Sequence, residues 1–198
     1  MKALLLIDIQ NDFLPGGSLA VEKGHEVIAV ANRLMSQFDL IVATQDYHPA
    51  DHLSFASQHP EHQIGQSIDL DGLQQILWPD HCVDGTLGVQ FSPELDANEI
   101  HYVVRKGTDR NFDSYSGFFD NARRKATGLD EYLREQGVDE LHLVGLATDY
   151  CVKFTAMDAI ELGYRTILVS EGVRGVDLVA GDCQRAIDEM RAAGVAIN

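Results

Sequence analysis

Cys151 lies between an apolar run, Leu141 to Leu146, and a stretch from Val152 to Leu162 in which Val152, Ala156, Ala159 and Ile160 share one helical face. The pattern predicts a buried strand, a short turn and a helix, with the thiol at the junction. A thiol there faces unpaired backbone N–H groups and the positive end of the helix dipole, and both favour the thiolate. Asp8 and Lys106 also follow apolar runs, so an acid, an amine and a thiol can act as base, cation and nucleophile. With a reference pKa of about 8.5, cysteine is only a few per cent thiolate at neutral pH and needs a proton acceptor. Asp8 would take the thiol proton and return it to a leaving ammonia, while Lys106 would hold Asp8 and offset its charge. An ordinary Asp–Lys ion pair beside a bystander thiol fits the same spacing.

Two further sets accompany these three residues. The small Ala147 in the turn lets main-chain N–H groups approach a substrate oxygen, so the N–H groups of Ala147 and Cys151 form a candidate oxyanion hole. Asp46-x-His48 with His81 offers imidazole and carboxylate donors suited to one divalent ion, zinc being expected and iron(II) or manganese(II) the alternatives. Five of the eight histidines fall between His48 and His81; Asp46 and His48 stand out because they directly follow a strand. The fourth ligand is open between His52, Ser54 and water. Phe13, Leu19, Trp78, Tyr115 and Tyr150 are candidates to wall a flat substrate pocket, although such side chains are more often core.

The elements that must position these groups follow from periodicity. Strands are expected at Lys2 to Asp8, Leu40 to Thr44, Ile100 to Val104, Leu141 to Leu146 and Arg165 to Ser170, with a short sixth at Val195 to Ile197. Helices are expected from about His25 to Phe38, Leu129 to Gln136, Val152 to Leu162 and Gly181 to Ala193. The segment from Gln45 to Pro93 reads as irregular, and Thr108 to Phe119 as loop. A loop of the first length is more often functional than idle. This alternation predicts a three-layer α/β/α fold with a mainly parallel, about six-stranded, Rossmann-like sheet. Because ligands bind beyond the carboxyl ends of such strands, one rim would gather Asp8, Asp46, Lys106 and Cys151.

The whole chain bounds the function. Its 198 residues, 45% hydrophobic, suit a single domain over 1–198, without repeats or a linker. The N-terminal apolar run stops at Asp8, too short for a signal or a membrane span. Three cysteines without an export signal suggest free thiols in a reducing, cytoplasmic setting. A formal charge of −16 disfavours nucleic acid and acidic membranes as partners, whereas a small-molecule substrate is compatible with it, as is a homo-oligomer.

Taken jointly, Leu5-Leu-Ile-Asp8-Ile-Gln-Asn-Asp-Phe13, Leu14-Pro-Gly-Gly-Ser-Leu19, Asp46-Tyr-His48-Pro, Trp78-Pro-Asp-His81-Cys, Arg105-Lys106-Gly and Gly145-Leu-Ala-Thr148-Asp-Tyr-Cys151-Val resemble the nicotinamidases, or pyrazinamidases, of the isochorismatase-like cysteine hydrolases. The motifs span Asp8 to Cys151 in the family's order. The resemblance implies hydrolysis of nicotinamide to nicotinate and ammonia in NAD salvage, and of pyrazinamide, through a thioester on Cys151. It carries over Asp8, Lys106 and Cys151 as the triad, Asp46, His48 and His81 as the metal site, and a cis Leu146–Ala147 peptide. The segment Gly107 to Ser114 looks longer than in some relatives, leaving open which ring near it stacks on the substrate. Competing readings are a related hydrolase acting on another small amide or a vinyl ether, and a non-catalytic metal-binding module.

Overall fold

The computed structural model describes residues 1–198. The chain runs β1 (Lys2–Ile7), α1 (Glu26–Met35), β2 (Ile41–Asp46), the hairpin β3 (Ser67–Leu70) and β4 (Leu73–Ile76), then β5 (Tyr102–Lys106) and α2 (Leu129–Glu135). It continues with β6 (Glu140–Leu146), α3 (Lys153–Glu161), β7 (Arg165–Arg174), α4 (Asp182–Ala192) and β8 (Ala196–Ile197). Six strands form one parallel sheet in the order β5-β2-β1-β6-β7-β8.

Near-continuous apolar runs such as Ala3-Leu-Leu-Leu-Ile7 make central strands because both of their faces are covered. Leu4, Leu6, Ile41, Ala43, Val144 and Val169 pack under α1 through Val27, Ile28, Val30, Ala31 and Met35. Leu5, Val42, Leu141, Leu143 and Leu168 face the other way, onto Leu129 and Leu133 of α2, Ala156 and Ala159 of α3 and Met190 of α4. This is the expected three-layer α/β/α fold.

The chain leaves β1 toward β2 and β5 on one side, and fills β6, β7 and β8 on the other. The reversal lies between β1 and β6, where open α/β sheets bind ligands. Gly145 lets the two strands close there, since a Cβ at this position would meet Ile7 O at 2.0 Å. Its φ of +129° also suits glycine alone.

Three expectations need correction. The region after β2 is not wholly irregular: β3 and β4 pair as an antiparallel hairpin on a separate two-stranded sheet. The strand expected at Arg165 to Ser170 continues to Arg174, past a register shift against β6. Cys151 does not precede its helix; it sits inside a π-helical turn, Thr148–Val152, that leads into α3. Hydrogen-bond register, which periodicity does not carry, decides that extra turn.

Candidate active site

Strand register assembles the site. Asp46, the last residue of β2, pairs with Lys106, the last residue of β5, so their side chains leave the sheet on the same face. Lys106 Nζ lies 2.7 Å from Asp46 Oδ1 and 2.9 Å from Asp8 Oδ2. It also donates to the Ser114 carbonyl at 2.9 Å and stands 3.4 Å from Cys151 Sγ. Four partners therefore surround three N–H bonds. Asp8 Oδ2 is left without a well-aligned hydrogen bond despite its ion pair, and its carboxylate lies within 4.8 Å of the Cys151 sulfur. Asp8 Oδ1 accepts from Thr44 Oγ1 at 2.6 Å, and the backbone N–H of Asp8 donates to the same hydroxyl at 3.2 Å. That clasp holds Asp8 at φ +50°, a left-handed conformation that Asp tolerates better than most residues.

Burial sets the proton inventory. It raises the Asp8 carboxyl above the ordinary carboxylate range, with Lys106 opposing and Asp46 reinforcing the shift. Burial acts likewise on Asp46, but Lys106 and His48 outweigh it and hold that carboxyl well below its usual value. Lys106 gains protonation against its own burial because Asp46 and Asp8 face it. Burial also pushes the Cys151 thiol well up, with Lys106 pulling the other way. Desolvation therefore works against the thiolate expected from the sequence, and Lys106 is the neighbour that favours it.

Beside this group, Asp46, His48 and His81 bring one donor atom each within 4.8 Å of one another, all buried. His48 Nδ1 donates to the Gly107 carbonyl and His81 Nδ1 to the Pro79 carbonyl, each at 2.8 Å. Those bonds fix the tautomers and leave both Nε2 lone pairs bare, at 3.6 and 3.7 Å from Asp46 Oδ2. His48 Nε2 is buried with no partner. Two oriented imidazoles and a carboxylate around an orphaned nitrogen fit a divalent cation. Ser54 Oγ bonds His52 Nδ1 at 2.7 Å, and His52, whose Nε2 is buried without a partner like that of His48, falls in a second group with His48 and Asp113.

A narrow cleft opens onto the sulfur. All five pocket candidates line it: Phe13, Leu19, Trp78, Tyr115 and Tyr150, together with Ala147, Cys151, Asp46 and His81. Trp78 meets Tyr150 edge-on at 4.9 Å between ring centroids and donates from Nε1 to the Tyr115 hydroxyl at 3.1 Å. Phe13 tilts against His81 at 5.6 Å. The N–H of Ala147 donates to no protein acceptor, and the Leu146–Ala147 peptide is cis. Asp113 and Val176 also line the cleft, and Gln10 and Thr44 brace the acids; sequence reasoning missed all four because no local spacing marks them.

A parallel α/β sheet with a buried thiol, acid and ammonium at its switch point defines a cysteine-centred hydrolase. Residues 2–197 match the isochorismatase domain model, and the chain belongs to that family. It is 50% identical over 202 residues to a nicotinamidase of Escherichia coli strain K12, covering 99% of this chain and 93% of that protein. An Acinetobacter baumanii nicotinamidase/pyrazinamidase superposes with a TM-score of 0.96 at 40% identity, covering 99% of this chain and 94% of that one. A Pyrococcus horikoshii pyrazinamidase solved in complex with zinc gives a TM-score of 0.80 at 34% identity, covering 100% and 98%.

Proposed function

We propose that residues 1–198 form a single hydrolase domain that converts nicotinamide to nicotinate and ammonia, serving NAD salvage, and that also accepts pyrazinamide. The observation that carries this reading is Lys106 Nζ lying between Asp8 at 2.9 Å and Cys151 at 3.4 Å, at the floor of an aromatic cleft.

Phe13 and Trp78 flank the substrate ring and Leu19, Tyr115 and Tyr150 complete the wall, directing the amide carbonyl at the sulfur. Asp46, His48 and His81 would hold the divalent ion, zinc by preference with iron(II) or manganese(II) as alternatives, which supplies a Lewis-acid anchor for the ring nitrogen. Asp8 takes the Cys151 proton as Sγ bonds to the carbonyl carbon. The N–H groups of Ala147 and Cys151 receive the resulting oxyanion, worth about 3 kcal/mol per donor. Protonated Asp8 passes its proton to the amide nitrogen, the C–N bond breaks, and ammonia departs. Asp8 then deprotonates a water that attacks the thioester, and the proton returns to the sulfur as nicotinate leaves. The raised proton affinity of the Asp8 carboxylate suits both halves of this exchange.

No helix is long and apolar enough to cross a membrane, and the strong negative charge disfavours nucleic acid, in keeping with a small neutral substrate met in the cytoplasm. The test is ammonia release from nicotinamide by the purified chain, by Cys151→Ala, and after chelation. Activity abolished by the substitution and by metal removal is expected. Near-normal release by Cys151→Ala would sink the scheme.

A further inference from the structure

Asp149 stands two residues before the nucleophile, within the Thr148–Val152 turn, and is buried, yet no step above uses it. Its carboxylate spans two consecutive amides of the loop between β7 and α4: Oδ1 accepts the Val176 N–H at 3.0 Å and Oδ2 the Asp177 N–H at 2.7 Å. Gly175 makes room for this approach, since a Cβ there would lie 2.9 Å from Asp149 Oδ1 and 2.0 Å from Cys183 Sγ. Asp177 ties down the far end of the loop, its Oδ1 accepting the Cys183 N–H at 3.0 Å in the first turn of α4. Asp149, Asp177 and Cys183 thus gather within 4.8 Å of one another. Both carboxylates already accept backbone N–H groups, so the cluster is a clasp on the loop.

What the clasped loop contributes is Val176. It is the one lining residue of the cleft that follows Cys151 in the chain, and it packs against the apolar cluster that includes Phe13, Leu146 and Ala147. A side chain on a loop is placed only as well as its backbone is held, and here the backbone N–H of Val176 itself is held. The sulfur does not need the same support. Lys106 stands beside it, and the N–H groups of Tyr150 and Val152 both donate to the Ala147 carbonyl, at 3.0 and 3.1 Å, which fixes the turn from within.

Resting on the amidase reading, we propose that Asp149 is a positioning residue that reaches out from the nucleophile's own turn to fix Val176 as one wall of the pocket for the substrate ring. Two observations carry it: the carboxylate bonds the amides of Val176 and Asp177, and Val176 faces the cleft that opens onto Cys151.

The experiment compares the metal-loaded full chain with Asp149→Asn, Val176→Ala and the double substitution. Rates with nicotinamide, nicotinate affinity by calorimetry and metal content are measured for each. Asparagine keeps one acceptor oxygen but turns an NH2 group toward the second amide, so one of the two clasping bonds is lost. KM should rise by about five- to tenfold with kcat within about twofold, and nicotinate should weaken in parallel. In the Val176→Ala background the same substitution should change KM and nicotinate affinity by less than about twofold, because the side chain it positions is gone. A fall in kcat at constant KM overturns the proposal and assigns Asp149 to the sulfur. Unchanged KM, equal effects in the two backgrounds, or loss of metal overturn it as well. Should Asp149→Asn fail to fold, Gly175→Ala, which displaces the loop and leaves Asp149 in place, is judged by the same criteria. Absence of ammonia release by the unaltered chain overturns the proposed function, whereas the nicotinate affinities of the four proteins still decide the role of Asp149.

Discussion

The side-chain amide of Gln10 clasps the backbone of Asp46 from both sides: Nε2 donates to the Asp46 carbonyl and Oε1 accepts the Asp46 N–H, each at 2.8 Å. Gln10 is fully buried and donates again to the Val89 carbonyl at 2.8 Å. A residue two positions after Asp8 thus fixes the carboxylate that faces both Lys106 and the two imidazoles. One side chain braces the carboxylate that the Lys106 ion pair shares with the Asp46–His48–His81 cluster.

Gln10→Ala should therefore act on stability and metal together. It orphans buried donors and acceptors worth about 1–3 kcal/mol each, so a loss of several kcal/mol is expected in denaturant unfolding. Metal affinity, read by competition with a chromophoric chelator, should fall by about 10–100-fold, as when groups behind a ligand are removed. Full metal affinity in a folded Gln10→Ala protein would show that Asp46 needs no such brace.

Gly107 is a second control point. Its φ is +63°, and a Cβ there would lie 2.3 Å from Cε1 of His48. Gly107→Ala must push the imidazole away or break its bond to the Gly107 carbonyl. We expect a folded protein with metal content well below stoichiometric, measured by elemental analysis. Stoichiometric metal would mean that the loop yields instead of the ligand.

Lys106 is the sole ammonium between two buried carboxylates. Lys106→Ala leaves both uncompensated, a change that costs about 3–5 kcal/mol in comparable buried pairs. It also removes the positive field that opposes the upward shift of the Cys151 thiol. Unfolding free energy should drop by that amount, and kcat/KM for nicotinamide by about 100-fold or more. Equal stability of the two proteins would remove the buried ion pair from the account.

Cys183 should react slowly with an alkylating agent near neutral pH. Burial, with Asp149 and Asp177 beside it, pushes the Cys183 thiol up to about 12. At pH 8 its thiolate is then about one part in ten thousand, and the fraction grows about tenfold per pH unit until the pKa is reached. Iodoacetamide labelling of Cys183, followed by peptide mass spectrometry, should climb with pH without a plateau below about pH 11. Because both carboxylates raise this pKa, Asp177→Asn should speed labelling at pH 8. A plateau near pH 9 would contradict the assignment.

The apolar runs and their spacing were enough to announce the layers of the fold, because strands covered on both faces need unbroken hydrophobic stretches and their helices need one apolar stripe. The residues ending those strands were legible for the same reason: strand ends of a parallel sheet meet at one rim. The hairpin carrying Gln75 was not legible, since Ser67-Ile-Asp-Leu and Leu73-Gln-Gln-Ile are too short and too polar to stand out from loop. Asp113 was hidden similarly, since its partner Gln75 lies 38 positions earlier in the chain and its neighbours His48 and His52 lie earlier still.

The sequence by itself determined which groups are present: a thiol, two acids, an ammonium and paired imidazoles, each tied to a predicted element. Tertiary structure decided their chemical states. The pairing of Asp46 opposite Lys106 sets the ion pairs, and the burial of Cys151 raises its thiol despite the Lys106 ammonium beside it. Proton affinity depends on distances and desolvation between residues far apart in the chain, and those exist only once the sheet has closed around them.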